Sequence, residues 1–161
     1  MINGVTDDLN HLPAVVLRWA EGASLDEIAK AAPFDVLTGR FEVPDNNSTD
    51  RIASEWQWLL KDAQDTDWPE YRSMIDAAYA KPRLRRLWPY TSHWALSFAE
   101  APDYPFTPSF VSIQAPRGHG GYAIREWWNG PVLHEAATAD EAISIAVDRI
   151  PPRSADTETT P

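Results

Sequence analysis

From residue 12 to residue 79 the apolar side chains recur every three or four positions; from residue 94 to residue 136 they recur every second one. That change of period constrains the fold more than any other feature, because 3.6 and 2.0 are the side-chain repeats of helix and strand. Residues 1 to 9 read as a loose leader. Leu12, Val15, Val16 and Trp19 make a first helical stripe, with Asn10 as cap, Pro13 in the first turn and Gly22 as the end. "SLDE" at 24 to 27 is a capping box, and Leu25, Ile28, Ala29 and Ala32 give its helix an apolar face before Pro33 stops it. "FDVLTGRFEV" reads as a short strand or extended passage, and "PDNNSTD" as a turn cluster. Ile52, Trp56, Leu59 and Leu60 predict a helix over about 50 to 62. Asp67, Pro69 and Glu70 open another, striped by Tyr71, Met74, Ile75, Ala78 and Tyr79.

The second half alternates. Trp94, Leu96 and Phe98 face away from Ala95, Ser97 and Ala99 in a first strand; Val111, Ile113 and Ala115 mark a second after the proline-rich "APDYPFTP". "RGHGG" turns the chain into a third strand, in which Tyr122, Ile124, Glu126 and Trp128 alternate with Ala123, Arg125 and Trp127. Asn129-Gly130 signals a hairpin whose two central residues take positive φ, and "VLHEA" is the fourth strand. On this reading Trp127 and Trp128 place one ring on each sheet face. "TADE" at 138 to 141 caps a closing helix built on Ala142, Ile143, Ala146, Val147 and Ile150, ended by Pro151-Pro152. The expected fold class is α+β: N-terminal helices, then a four-stranded antiparallel β-meander closed by a C-terminal helix. Residues 1–150 form a single domain, helical over about 10–80 and sheet over about 90–150, and 151–161 have the composition of a disordered tail.

Composition narrows function. The chain has 161 residues, 24 acidic against 14 basic side chains, a formal net charge of −10 and no cysteine. A net anion is poorly matched to nucleic acid or to an anionic membrane, so neither is expected as a partner. Without cysteine there are no disulfides, thiolate nucleophiles or thiolate metal sites. No apolar run reaches the roughly 18 to 20 residues of a membrane span. "MINGVTDDLN" lacks the basic-then-apolar order of a signal peptide, so a cytoplasmic location is expected. His11, His93, His119 and His134 have no metal-ligand spacing, and neither a phosphate loop nor a nucleophile elbow is present, so neither a metal nor a cofactor is expected.

One stretch runs against the acidic background. "KPRLRRLWPYTSHW", residues 81 to 94, holds Lys81, Arg83, Arg85 and Arg86 within six residues, whereas residues 1 to 70 carry five cations and fourteen anions. Arginine forks suit carboxylate or phosphate. One reading is an anion site in which Arg85 and Arg86 hold the charge, Trp88 and Tyr90 stack on the ligand, and Ser92 and His93 complete it. His93 is then a hydrogen-bond partner or general base, and it is the one catalytic candidate. The alternative is structural: the arginines form internal salt links, Trp88-Pro89-Tyr90 anchors the crossing from helix to sheet, and His93 caps a strand.

The segments "LRRLWPYTSHWALSF", "YPF" at 104 to 106, "GYAIREWWNG" and "ADEAISIAVDRIPP", with "EGASLDEIAKAAPF" and "SEWQWLL" in order before them, resemble an actinobacterial domain-of-unknown-function family, number 6193, whose members are often labelled natural product biosynthesis proteins. The resemblance runs from about residue 14 to 152, and Trp88 to His93 is its most specific part. The chain departs from the family pattern at Trp94, where a smaller residue is usual, and in lacking a cysteine often found after the first strand. The resemblance implies a small cytoplasmic protein encoded among specialised-metabolite genes, with no assigned reaction. The expected function is that of an accessory protein in such a pathway, binding an anionic small molecule or a partner enzyme. The alternatives are an immunity-like module that binds a basic protein, and a small enzyme using His93 as general base.

Overall fold

The computed structural model describes residues 2–4, 6–34, 36–38, 47–102 and 109–151. The loop "YPF" and the tail from residue 152 lie outside these residues, as does most of "FDVLTGRFEV" beyond Thr38. The chain divides into two compact units, residues 1–54 and 55–161.

In the first unit the leader is structured. Strand β1 (Ile2–Gly4) pairs antiparallel with β2 (Val36–Thr38). The Asp8 carboxylate accepts the Asn10 N–H at 2.9 Å and caps a 3-10 turn over Leu9–His11. Helix α1 (Leu12–Ala20) follows with Pro13 in its first turn, so the cap is Asp8 acting one turn earlier, not Asn10. Helix α2 (Leu25–Ala31) carries the expected capping box: the Ser24 hydroxyl accepts the Glu27 N–H at 3.3 Å, and Glu27 Oε2 accepts the Ser24 N–H at 2.9 Å. The Ser24 N–H and the Ser24 hydroxyl both donate to the ionised carboxylate, and so hold the Glu27 carboxyl below its ordinary range. Helix α3 (Ser48–Asp65) is longer than its apolar stripe, because Asn47 accepts the Asp50 N–H at 2.9 Å and starts it early. Its residues pass from the first unit into the second.

The second unit holds α4 (Pro69–Ala80), a single turn α5 (Pro82–Arg85), five strands and α6 (Ala139–Arg149). The expected four-stranded meander has a fifth strand at its front: β3 (Trp88–Ser92), β4 (Ala95–Ala99), β5 (Ser109–Gln114), β6 (Tyr122–Arg125) and β7 (Val132–Ala136), paired antiparallel in that order. The closing helix therefore follows the fifth strand. The missed strand is the aromatic part of the basic stretch. Pro89 hides it from a sequence reading, yet β3 is an edge strand, where a residue without an N–H is tolerated.

The turns also exchange roles. β3 and β4 are joined by two residues, His93 and Trp94, and both have positive φ, 51° and 66°. These are the values a tight primed hairpin turn demands, and neither residue type favours them. Asn129 and Gly130 do not take positive φ. They belong to a longer loop in which the Gly130 N–H donates to Trp127 O at 2.9 Å. Gly130 is required there for space: a Cβ would lie 2.8 Å from the Trp127 ring. The third strand stops at Arg125, so Trp127 and Trp128 sit in this loop and both are exposed, correcting the expectation of one ring per face.

Register assigns the two sheet faces. Pro89 and Phe98, then Leu96, Ile113 and Ile124, are cross-strand partners on one face and are buried. Trp56 of α3 reaches this face at Phe98, with ring centroids 6.2 Å apart. The Tyr122 hydroxyl donates to the Glu70 carbonyl of α4 at 3.1 Å, and burial raises its pKa. Ala142, Ile143 and Ala146 give α6 its buried stripe. The other face is chemically different.

Candidate functional site

The basic stretch does not form one site. Arg83 is structural: its guanidinium donates to the carbonyls of Val147 (3.1 Å) and Ile150, at the C-terminus of α6. They lie in the last turn of α6 and just past it, where a cation is favoured; Val147 O also accepts the Ile150 N–H at 3.3 Å. Arg85 is exposed, its guanidinium 5.5 Å from the centre of the Tyr79 ring. Arg86 is exposed beside a crevice shared with Arg83, Leu87 and Glu100 that encloses about 10 Å³, the room of one water. Trp88 is buried. Ser92 and His93 lie at the far end of β3, beyond five residues of strand, or roughly 16 Å from the arginines. There Ser92 Oγ and His93 Nδ1 are 3.2 Å apart, and the His93 ring stacks on Trp128 with centroids 4.3 Å apart and planes 12° from parallel. Among the described residues no carboxylate lies within ion-pair distance of His93.

Trp94, the second residue of the same turn, packs edge-on against Tyr71 (5.4 Å) and Trp68 (6.2 Å). The Trp68 indole N–H donates to Pro116 O at 2.8 Å, and the Arg117 guanidinium lies 4.3 Å above the ring. An open cavity of about 420 Å³ adjoins them, walled by Thr66, Asp67, Trp68, Glu70 and Arg117.

Between the two ends of β3 lies the feature that sequence reasoning missed. Tyr90 pairs with Ser97, Ser97 with Ser112, and Ser112 with Arg125. Cross-strand partners point to the same face, so these four form one row across β3 to β6, about 14 Å long at the usual strand spacing. The next row is Ser92, Ala95, Gln114, Ala123 and Glu135. This polar face is nonetheless removed from water. Ser97 is 2% exposed and Ser112 0%. Buried hydroxyls are ordinarily bonded, but Ser112 Oγ has no partner, and neither has the buried Nε of Arg125. Arg125 Nη1 donates to Gly130 O at 2.8 Å, and among the described residues no carboxylate lies within ion-pair distance of this guanidinium. A half-buried cation without a counter-ion, beside a buried hydroxyl without an acceptor, is suited to an anionic ligand.

Residues 50–159 match a family of unknown function (DUF6193). The chain belongs to that family. The match begins inside α3 and takes in the whole sheet, so every residue of the polar row and of the His93-Trp94 turn lies within the family's span; "EGASLDEIAKAAPF" precedes it. No curated protein and no solved structure matches the chain. Among the described residues no helix is long and apolar enough to cross a membrane, and no three His, Asp or Glu gather as a metal-binding group.

Proposed function

We propose that this family member is a non-enzymatic accessory protein of a specialised-metabolite pathway, and that it binds an anionic small molecule on the polar face of its sheet. The pathway rests on the resemblance carried by residues 84 to 98 and the segments around them. The ligand class rests on one observation: Arg125, half-buried and without a counter-ion among the described residues, stands directly across from the unpartnered hydroxyl of Ser112. Tyr90 ends the row. His93, Ser92 and Trp128 close one corner of it. Arg85 and Arg86, on the far side of Trp88, would meet a ligand or partner enzyme only at the surface.

Native mass spectrometry of protein purified gently from its own host tests this reading. An acidic small-molecule adduct, present on the wild type and lost from Arg125→Ala, is the expected result. A bare chain in both samples would remove the reading.

A second reading is favoured by the first unit. α1 buries no residue and exposes Val16, Leu17 and Trp19, and residues 1–54 carry nine carboxylates against four cations. That surface suits an immunity-like module for a basic protein. It predicts a stoichiometric basic partner released by salt, and a pull-down at low salt that recovers none would exclude it.

A further inference from the structure

We infer that the cavity beside Trp68 binds a zwitterion: an amino acid with a free ammonium and a free carboxylate. The site is separate from the polar row and uses none of its residues. It encloses about 420 Å³, the volume of a sphere roughly 9 Å across, which is within the size range of small-molecule sites. The cavity is open to solvent, so a ligand reaches it without displacing any part of the chain. Its walls carry the Arg117 guanidinium and the carboxylates of Asp67 and Glu70.

These opposite charges share one cavity and do not pair. Among the described residues no ion pair joins Arg117 to either carboxylate. Cation and anion have separate anchors. The Arg117 guanidinium rests 4.3 Å above the Trp68 ring. That ring is itself fixed: it is buried, its N–H donates to Pro116 O at 2.8 Å, and Trp94 packs edge-on against it. Glu70 stands in the first turn of α4, where the helix dipole favours a carboxylate, and Asp67 precedes the same helix. A guanidinium lying over an indole uses its face and keeps its N–H edges for a carboxylate. Two carboxylates against one guanidinium leave the cavity net negative, so a simple anion is poorly matched to it. An amino acid carries both charges on one carbon and bridges the two walls. Its carboxylate accepts from Arg117, and its ammonium donates to Glu70 and Asp67. Pro69, exposed on the rim, offers its side chain an apolar contact.

The test uses the full chain, nitrogen-15 labelled, titrated with leucine and phenylalanine and with the N-acetyl and amide form of each. At least one of the two amino acids is expected to shift the Glu70 and Gly118 backbone amides saturably. Its amide form lacks the carboxylate and its N-acetyl form lacks the ammonium, so each should bind about tenfold more weakly or worse. Two variants separate the halves of the site. Arg117→Gln should weaken the amino acid about tenfold and leave the amide form bound as before or better. Glu70→Gln should weaken the amino acid by a similar factor and leave the N-acetyl form bound as before or better. Both side chains reach the surface, so the variants keep the fold, and unchanged amide signals away from the cavity check this. An N-acetyl form that binds as tightly as the amino acid would make this an anion site, and an amide form that does so would make it an amine site; either result overturns the zwitterion. So does a titration in which neither amino acid moves the Glu70 or Gly118 signal, or in which the shifts centre on Ser112 and Arg125 instead.

Discussion

Replacing Arg83 with alanine should weaken the second unit by about 2 kcal/mol. Two N–H groups of this side chain reach the Val147 and Ile150 carbonyls at the end of α6. Hydrogen bonds involving a charged group contribute about 1.5–3 kcal/mol each when buried, and a cation at a helix C-terminus about 0.3–1 kcal/mol. The full sum does not apply, because Arg83 is half-buried and water can reach the abandoned carbonyls. Equilibrium urea unfolding followed by tryptophan fluorescence measures the loss. At a slope of about 1–2 kcal/mol per molar urea, the midpoint should fall by about 1–2 M with the slope unchanged. Arg83→Lys keeps the charge but not the fork, so it should recover about half. Arg85→Ala is the control: that residue is exposed and its guanidinium lies over the face of Tyr79, so its loss should be under about 1 kcal/mol. If Arg83→Ala moved the midpoint no further than Arg85→Ala, the assignment of Arg83 as the cap of α6 would be wrong.

Ser112→Ala should stabilise the protein by about 1 kcal/mol in the same assay, because it removes a buried hydroxyl without a partner; a loss of that size would mean the hydroxyl is bonded after all. Gly121→Ala places a Cβ 2.6 Å from the backbone oxygen of Ala136, so the β6–β7 ladder must shift, at a cost of about 1–3 kcal/mol. An unchanged melting temperature would refute that contact. The Glu27 carboxyl should titrate by NMR below its ordinary 4.5, since Ser24 bonds its ionised form. Its folded pKa is the lower one, so the contribution to α2 is present above 4.5 and is lost as pH falls through the folded value. An inflection at or above 4.5 would contradict the capping box.

The helical half was legible because its signals are local. The capping box at Ser24 and the stripe from Tyr71 to Tyr79 each occupy one window of sequence. The strands from Ala95 onward were legible by alternation, including the small-residue face of Ala95, Ser97 and Ala99. Two things were not. Trp88–Ser92 was not read as a strand but as part of a ligand site or of the crossing from helix to sheet, and its place at the sheet edge lets a strand hold Pro89. The polar row was invisible because its members stand at 90, 97, 112 and 125, in four strands that register alone unites. Charge counting pointed to the arginine cluster instead, where one cation caps a helix and two lie at the surface. The available clue was Arg125, a cation on the same strand face as Ala123 and next in sequence to the buried Ile124.

The His93-Trp94 turn bears on the order in which the sheet assembles. An Asn-Gly turn favours its own closure; two L-residues held at positive φ oppose it, by about 1–2 kcal/mol each. What closes this turn comes from elsewhere in the chain: Tyr71 and Trp68 against Trp94, and Trp128 against His93. The β3–β4 hairpin is therefore a poor nucleus for the sheet: the contacts that hold its turn closed are supplied by α4 and by the β6–β7 loop, from outside the hairpin itself.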